Sequence, residues 1–344
     1  MERPEFVTLR PVHSEMKCST FAIKNKYICV EYSPTLNEQE IFSVEFMRLF
    51  KTSHIKSPDY SLILLHDNTL ISNVECEKDD FISVKDKNYL PGVENRYFSL
   101  NESTLTEFYY PSRCLLVEKD KEAYIVSGNQ KKLSYHARQI LKRFVRSIFH
   151  GEGFYSLHAA AIVEQGKAFL FPGKTHSGKS TLLLNMSAVG FVPMNDDIIF
   201  LKKQENGIIK VESVPLLIQV RENSGTVLLP EVKDYPSGLT TIDPYTATSC
   251  ATEAELSCIL FPTIVNGTTF IQEITPDIAK KLLFAAFNAH GRIEISKGFA
   301  ELFYTLISEE MYSLKMGDDW NFLADWMHED VKKTGKTKMF FTDV

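Results

Sequence analysis

Residues 173–181 read Gly173-Lys174-Thr175-His176-Ser177-Gly178-Lys179-Ser180-Thr181, and this stretch determines how the second half of the chain is organised. It matches G-x-x-x-x-G-K-[ST], a loop whose backbone N–H groups surround nucleotide phosphates at the positive end of a following helix. Gly173 and Gly178 are expected to adopt φ above zero so that those N–H groups converge. Lys179 is expected to reach the β- and γ-phosphates, and the Ser180 hydroxyl to ligate Mg²⁺. The sequence therefore predicts that residues 173–181 bind a nucleoside triphosphate, taken as ATP, together with Mg²⁺.

The segments on either side of this loop have the character that it requires. An apolar strand, residues 168–171, enters the loop, and an apolar helix, residues 179–189, leaves it. Further β-type and helical segments follow, at 191–194, 198–202, 208–212, 216–220 and 258–261 for strands and at 276–287, 299–308 and 320–326 for helices. This alternation predicts a mixed α/β catalytic domain over residues 151–335.

The first third of the chain has a different pattern of apolar and polar residues. Short β-type runs alternate with polar turns, at 27–32, 60–65, 114–118 and 123–126. The pattern predicts a β-rich N-terminal domain over residues 1–133. Apolar residues then recur at helical spacing, which predicts a connecting helix over residues 134–150. We expect the basic residues on the other faces of this helix to be solvated.

An acidic pair, Asp196-Asp197, follows the strand at 191–194. Neighbouring side chains of an extended segment point in opposite directions, so one carboxylate can face a metal ion while the other faces a second ligand. The alternative is a polar turn, because Asn and Asp favour turns. A phosphate-binding loop needs an acidic partner for Mg²⁺, which favours the functional interpretation.

One histidine, His158, lies in a segment that is expected to neighbour the loop strand. A single histidine in an apolar segment is more often a core side chain than a catalytic one. The interpretation of His158 therefore depends on the whole pattern of residues around it.

That pattern resembles a known family. The stretches 157–160 (Leu-His-Ala-Ala), 177–181 (Ser-Gly-Lys-Ser-Thr) and 190–197 (Gly-Phe-Val-Pro-Met-Asn-Asp-Asp) look, in this order, like the catalytic domain of the HPr kinase/phosphorylase family and its divergent relatives. The resemblance covers about residues 155–330. It implies an α/β, phosphoenolpyruvate-carboxykinase-like P-loop kinase core, preceded in this chain by the β-rich domain.

The resemblance also implies roles for individual residues. Asp196 would be the general base for the acceptor hydroxyl, with His158 close to it, and Lys179 would complete the catalytic set. Asp197 would bind Mg²⁺ together with Ser180. These roles are chemically coherent, because phosphoryl transfer needs positioning, charge neutralisation and a carboxylate that accepts the hydroxyl proton.

The chain departs from the family downstream of the acidic pair. The bifunctional members carry a glycine-rich signature with an acidic metal ligand there, and residues 211–222 lack it. The resemblance therefore does not extend to phosphorylase activity or to HPr as substrate. Glu212 or Glu222 could supply a third metal carboxylate, and Arg221 or Arg292 could steady the transferred charge, although each is equally well an ordinary surface residue.

Composition limits the partners and the compartment. A net charge of −6 gives no general positive field for nucleic acid or for an anionic membrane. No apolar run approaches the roughly 20 residues of a membrane helix, and the N-terminus lacks a secretory signal, so we expect a cytoplasmic protein. The six cysteines form no C-x-x-C pair, and we expect buried or idle thiols.

The leading hypothesis is an ATP-dependent kinase that phosphorylates a serine of a protein or of a ribosomally made peptide. One alternative is an NTPase that hydrolyses nucleotide as a conformational switch, although the chain has no L-S-G-G-Q signature. Another is a nucleotide-sensing scaffold without chemistry. The N-terminal domain would bind the substrate, a leader segment or a second copy of the chain.

Overall fold

A computed structural model of the chain describes residues 16–42, 50–52, 57–66, 82–84, 95–100, 103–109, 113–119, 121–174, 177–214, 218–221, 239–242, 250–290, 295–317 and 319–339. The chain divides into two compact units, residues 1–43 with 47–148 and residues 44–46 with 149–344. Each unit contains a mixed sheet, and the protein is of the mixed α/β class that the sequence predicts.

The first unit is built on one sheet. Its strands are β1 (Lys17–Ile23), β2 (Lys26–Tyr32), β3 (Lys51–Thr52), β4 (Tyr60–Leu65), β5 (Ile82–Val84), β6 (Asn95–Leu100), β7 (Ser103–Tyr109), β8 (Arg113–Lys119) and β9 (Glu122–Ser127). Their order in the sheet is β3-β1-β2-β4-β9-β8-β7-β6-β5. Strand β4 runs parallel to β2 and β9, and the other described pairs are antiparallel. A short helix, α1 (Glu38–Ile41), lies between β2 and β3 in the sequence.

A long helix, α2 (Gln130–Gly151), follows β9. It begins earlier than the periodicity of the sequence predicts, because the Asn129 side chain accepts a hydrogen bond from the Lys132 N–H at 3.1 Å and so caps the first turn. Most of its apolar residues are buried, although Tyr135 is exposed, and Phe144 packs on Tyr60 with ring centroids 4.9 Å apart. On its basic face, Arg143 forms an ion pair with Glu118. None of the helices described in either unit is long and apolar enough to cross a membrane.

The cysteines agree only in part with the sequence-based prediction. Cys114 and Cys258 are buried thiols. Cys18 is exposed, and its Sγ lies 3.2 Å from the Sγ of Cys29 on the neighbouring strand. Burial and a hydrogen bond to Cys18 raise the pKa of the Cys29 thiol to about 12, which keeps it protonated at neutral pH. Cys76 lies outside the described residues.

The second unit combines a larger sheet with helices. Its strands are β10 (Tyr155–Glu164), β11 (Lys167–Pro172), β12 (Val192–Asn195), β13 (Ile198–Lys203), β14 (Ile209–Glu212), β15 (Ile218–Arg221), β16 (Leu239–Ile242), β17 (Glu253–Ile264), β18 (Phe270–Glu273) and β19 (Met311–Met316). Its helices are α3 (Lys179–Ala188), α4 (Pro276–Phe287), α5 (Lys297–Ile307) and α6 (Trp320–Met339). The main sheet follows the order β11-β10-β13-β14-β17-β19-β18, with β12 paired to β10.

Strand β11 also pairs with β17, in parallel, so five strands form a closed ring of pairings: β11, β10, β13, β14 and β17. Strand β17 is longer than the sequence predicts because it pairs with β11, β14 and β19 along its length. Helix α6 likewise continues beyond the predicted 320–326 segment. Strands β15 and β16 form a separate pair.

Strand β10 separates two apolar cores. Its alternate residues point to opposite faces. Leu157 and Ala159 pack into a core shared with α4 and α5, whereas Ala160 and Ile162 pack into a core shared with α3 and α6. His158 has the same parity as Ala160 and Ile162. The pleat therefore directs His158 to the face that carries α3, the helix that follows the predicted phosphate-binding loop.

One buried hydrogen bond joins β17 to α6. Ser257 Oγ donates to Asp330 Oδ2 at 2.8 Å, and both side chains are buried. Ser257→Ala removes a donor from a buried carboxylate, so we expect the free energy of unfolding to fall by about 1 to 3 kcal/mol. The control Ser308→Ala, at the exposed end of α5, should change it by less than about 0.5 kcal/mol. Urea denaturation followed by circular dichroism measures both, and equal effects would contradict this account of the β17–α6 junction.

Candidate active site

The predicted phosphate-binding loop lies between β11 and α3, the positions that its sequence predicts. Gly178 caps α3 in the left-handed conformation, with φ of 89°. A Cβ at this position would also lie 2.5 Å from Met316 Cε and 2.9 Å from Ile264 Cγ1. Glycine is therefore required at Gly178 both for its backbone conformation and for its close approach to the ends of β19 and β17.

The backbone of Gly173 differs from the sequence-based prediction. Its φ does not lie in the left-handed range, so the expectation of positive φ at Gly173 is wrong. A Cβ there would overlap the Ser177 hydroxyl oxygen. Within the described residues, that buried hydroxyl has no hydrogen-bond partner. Thr175 and His176 lie outside the described residues.

Lys179 is the first residue of α3, and only 6% of it is exposed. Its ammonium donates to the carbonyls of Gly173 at 2.8 Å and Lys174 at 3.0 Å, so the side chain folds back over the loop. Burial lowers the pKa of Lys179, and the charges of Asp196 and Asp197 act in the opposite direction. The site thus contains a largely desolvated cation beside two carboxylates.

The second residue of α3, Ser180, is bonded to the first member of the acidic pair. Its hydroxyl donates to Asp196 Oδ2 at 2.7 Å. The resemblance implied that Ser180 would act with Asp197 instead. A hydroxyl and a carboxylate held this close are both oxygen ligands of the kind that Mg²⁺ prefers. Thr181, half-buried in the same turn of α3, completes the predicted loop.

The second member of the pair, Asp197, is the partner of His158. His158 Nδ1 lies 3.1 Å from Asp197 Oδ1 and 3.1 Å from the Asp197 carbonyl oxygen. The structure thus pairs His158 with Asp197, and the closeness of His158 to Asp196 that the resemblance implies stays a prediction. The physical reason is that β13 begins beside His158, with His158 opposite Ile198 in the β10–β13 register. Asp197 immediately precedes that register pair.

The sequence-based reasoning missed one residue of this site, Asn195. It is the last residue of β12, it is 1% exposed, and its side chain bonds to the backbone of the turn that carries the two aspartates. In the sequence, Asn195 belongs to a polar run, and such a run is also typical of an ordinary turn. Its burial follows from the pairing of β12 with β10 and could not be read from composition.

Of the remaining candidates, only Glu212 has a side chain that the structure describes. Glu212 is buried and lies 2.9 Å from Lys210 Nζ, which also contacts Glu253 at 2.9 Å. This ion pair gives Glu212 a structural role in the sheet. Glu222, Arg292 and the side chain of Arg221 lie outside what is described. In the described ranges, no group of three or more His, Cys, Asp and Glu side chains could by itself hold a metal ion.

Comparisons with known proteins identify no family for this chain. No protein-family model matches the chain, and no curated protein matches it. Among solved structures, the Hpr(Ser) kinase/phosphatase from Coxiella burnetii is similar over 54% of this chain and 97% of its own, with 16% sequence identity and a TM-score of 0.26. These values establish neither a shared fold nor a shared activity.

Replacing the buried lysine tests the loop. We expect Lys179→Ala to weaken Mg-ATP binding by about 100-fold, because hydrogen bonds to charged groups are worth roughly 1.5 to 3 kcal/mol each. The control Lys203→Ala removes the same charge from an exposed position of β13 and should leave the affinity unchanged. Isothermal titration calorimetry measures both. Wild-type affinity in Lys179→Ala would contradict the assignment of residues 173–181 as a phosphate-binding loop.

Proposed function

We propose that this protein transfers the γ-phosphoryl group of ATP, in the presence of Mg²⁺, to a hydroxyl of a protein or peptide. The proposal rests on the observation that the two carboxylates of the acidic pair have different partners. Asp196 is held by the loop residue Ser180, and Asp197 by His158. Two adjacent carboxylates with different partners suit a reaction that needs both a metal ligand and a base.

The residues present fit a bound nucleotide and Mg²⁺. The loop requires glycine at Gly178, Ser177 keeps a buried hydroxyl inside the loop, and Lys179 brings a cation to it. The loop N–H groups and Lys179 would hold the phosphates, and Ser180 with Asp196 would hold Mg²⁺. Bound there, Mg²⁺ neutralises charge on the phosphates.

Asp197 is the base that the geometry favours. Its carboxylate lies beside His158, on the face of the sheet that carries α3, and it is not the carboxylate bonded to Ser180. In the proposal, Asp197 accepts the proton of the acceptor hydroxyl, and His158 fixes the orientation of the carboxylate. This exchanges the two roles that the family resemblance implied, in which Asp196 was the base and Asp197 the metal ligand.

Lys179 changes partners in this scheme. In the structure its ammonium bonds to two loop carbonyls. A phosphate oxygen is a stronger acceptor for a buried ammonium than a neutral carbonyl, so nucleotide binding draws Lys179 toward the phosphates. The low exposure of the side chain increases this preference, because little water competes for the charge.

The details of the core, the acceptor and the compartment follow what the family resemblance implies. The second unit would have a phosphoenolpyruvate-carboxykinase-like core, and the acceptor would be a serine, in the cytoplasm. Serine is favoured because the base must lie within hydrogen-bond reach of an oxygen in line with the γ-phosphate, and a slim side chain on an extended segment allows this. The β-rich first unit would contribute to acceptor binding, as an edge strand for the peptide or as a contact with a second copy of the chain.

The two aspartates should separate in function. We expect Asp196→Asn to weaken Mg²⁺-dependent ATP binding, because it removes the carboxylate beside Ser180. We expect Asp197→Asn to leave binding nearly intact and to lower the transfer rate by about 10²- to 10⁴-fold, the usual contribution of a general base. Calorimetry and single-turnover phosphate transfer measure the two effects.

Exposed Glu253 offers a control, since Glu253→Gln removes a carboxylate of the same unit away from the acidic pair and should change neither quantity. The opposite pattern in the two Asp variants would restore the roles implied by the resemblance. Wild-type turnover in both would make the pair a structural turn.

The acceptor is tested by product analysis. We expect incubation with Mg-ATP to place phosphate on serine in a protein or peptide, and mass spectrometry of candidate acceptors locates it. Phosphate found only on tyrosine or on a small metabolite would contradict the serine assignment. ATP hydrolysis that continues unchanged with no acceptor, and with no phosphorylated product, would instead favour the nucleotide-switch alternative.

A further inference from the structure

The turn between β12 and β13 is organised by a single buried side chain. Asn195 Oδ1 accepts hydrogen bonds from the backbone N–H of Asp197 at 2.8 Å and from that of Ile198 at 3.3 Å. Its Nδ2 donates to the Val214 carbonyl at 2.6 Å. The amide thus bonds in both directions, to the turn that follows it and to the segment after β14.

These bonds fix the backbone at the point where the two aspartates diverge. Asp196 lies inside the loop that Asn195 closes, and the Asp197 N–H is one of the two that Asn195 holds. From this turn, one carboxylate reaches Ser180 on α3, and the other reaches His158 on β10. A change in the turn would therefore move both carboxylates relative to their partners.

The hydrogen bond from Asn195 Nδ2 to the Val214 carbonyl connects the acidic turn to a buried segment. Val214 is buried, and the backbone N–H of the neighbouring Ser213 donates to the Thr252 carbonyl, just before β17. Asn195 therefore ties the acidic turn to a segment that the sheet itself holds. Few side chains could replace it, because leucine has neither donor nor acceptor and serine is too short to span both sets of partners.

We propose that Asn195 is a positioning residue that assigns the two aspartates to different partners, directing Asp196 to Ser180 and Asp197 to His158. The inference rests on the proposed function for its catalytic consequence. Asn195 itself does not touch the reacting atoms. Its effect is on the placement of the carboxylates that do, where an error of about 1 Å can cost about 10²-fold in rate.

The test uses Asn195→Leu, which keeps the size and removes every hydrogen bond, and Asn195→Ser, which keeps a short acceptor. Ser213→Ala is the matched control, because it removes a neighbouring buried hydrogen bond, to the Ile198 carbonyl, and leaves the amide bonds of the turn in place. Hydrogen exchange measured by NMR reports the Asp197 and Ile198 amides directly. We expect exchange at both to be about tenfold faster in Asn195→Leu, intermediate in Asn195→Ser and unchanged in Ser213→Ala.

Steady-state kinetics on a verified acceptor provides the functional measurement. We expect kcat to fall by about 10²-fold in Asn195→Leu and by less in Asn195→Ser, whereas the KM for Mg-ATP rises far less, because Lys179 and the loop still bind the phosphates. Ser213→Ala should retain the wild-type kcat even if its melting temperature is lower. If the leucine variant does not fold, the serine variant must still show faster exchange and a lower kcat than the control.

Two outcomes would overturn the positioning role: wild-type exchange at Asp197 and Ile198 in the Asn195 variants, or a loss of kcat no larger than that of Ser213→Ala. A wild-type protein that transfers no phosphate would overturn the proposed function instead. In that case the exchange rates still decide whether Asn195 holds the turn, and Mg²⁺-dependent nucleotide binding by the variants decides whether the turn places Asp196.

Discussion

The site depends on one constraint, the short connection between β12 and β13, which has to carry two neighbouring carboxylates to two different partners. The pleat of β10 brings His158 to the face of the sheet that bears α3, and the loop brings Ser180 to the start of that helix. The acidic turn lies between them, with Ser180 bonded to Asp196 and His158 to Asp197. In the proposal, adjacent residues supply a metal ligand and a base because the bend between β12 and β13 directs the two carboxylates to different partners.

In the proposal, the charges of the site suit a triphosphate that binds together with its metal ion. Lys179 is buried, and its ammonium is held by loop carbonyls, beside Asp196 and Asp197. Burial opposes the charge of the lysine, and the two carboxylates favour it. A triphosphate with its metal ion would add charge of both signs, so that each of these groups gains a stronger partner than it has in the free protein.

The sequence predicted the parts of the site that depend on local geometry, and it missed those that depend on strand register. The loop pattern located the junction of β11 and α3 because glycine spacing and a following apolar helix are local properties. The partners of Asp196 and Asp197 depend on how β10 aligns with β12 and β13, which no short window of sequence contains. The same holds for strand β19, which pairs with β17 across a long interval of sequence.

The central claim is that Ser180 and Asp196 complete a Mg²⁺ site for a triphosphate bound on the loop. Calorimetric titration of the whole protein with a non-hydrolysable ATP analogue, with and without Mg²⁺, tests it most directly. The account predicts that Mg²⁺ tightens binding by about tenfold or more and that Ser180→Ala removes most of this gain. Equal affinity with and without Mg²⁺, or a gain that survives in Ser180→Ala, would contradict it.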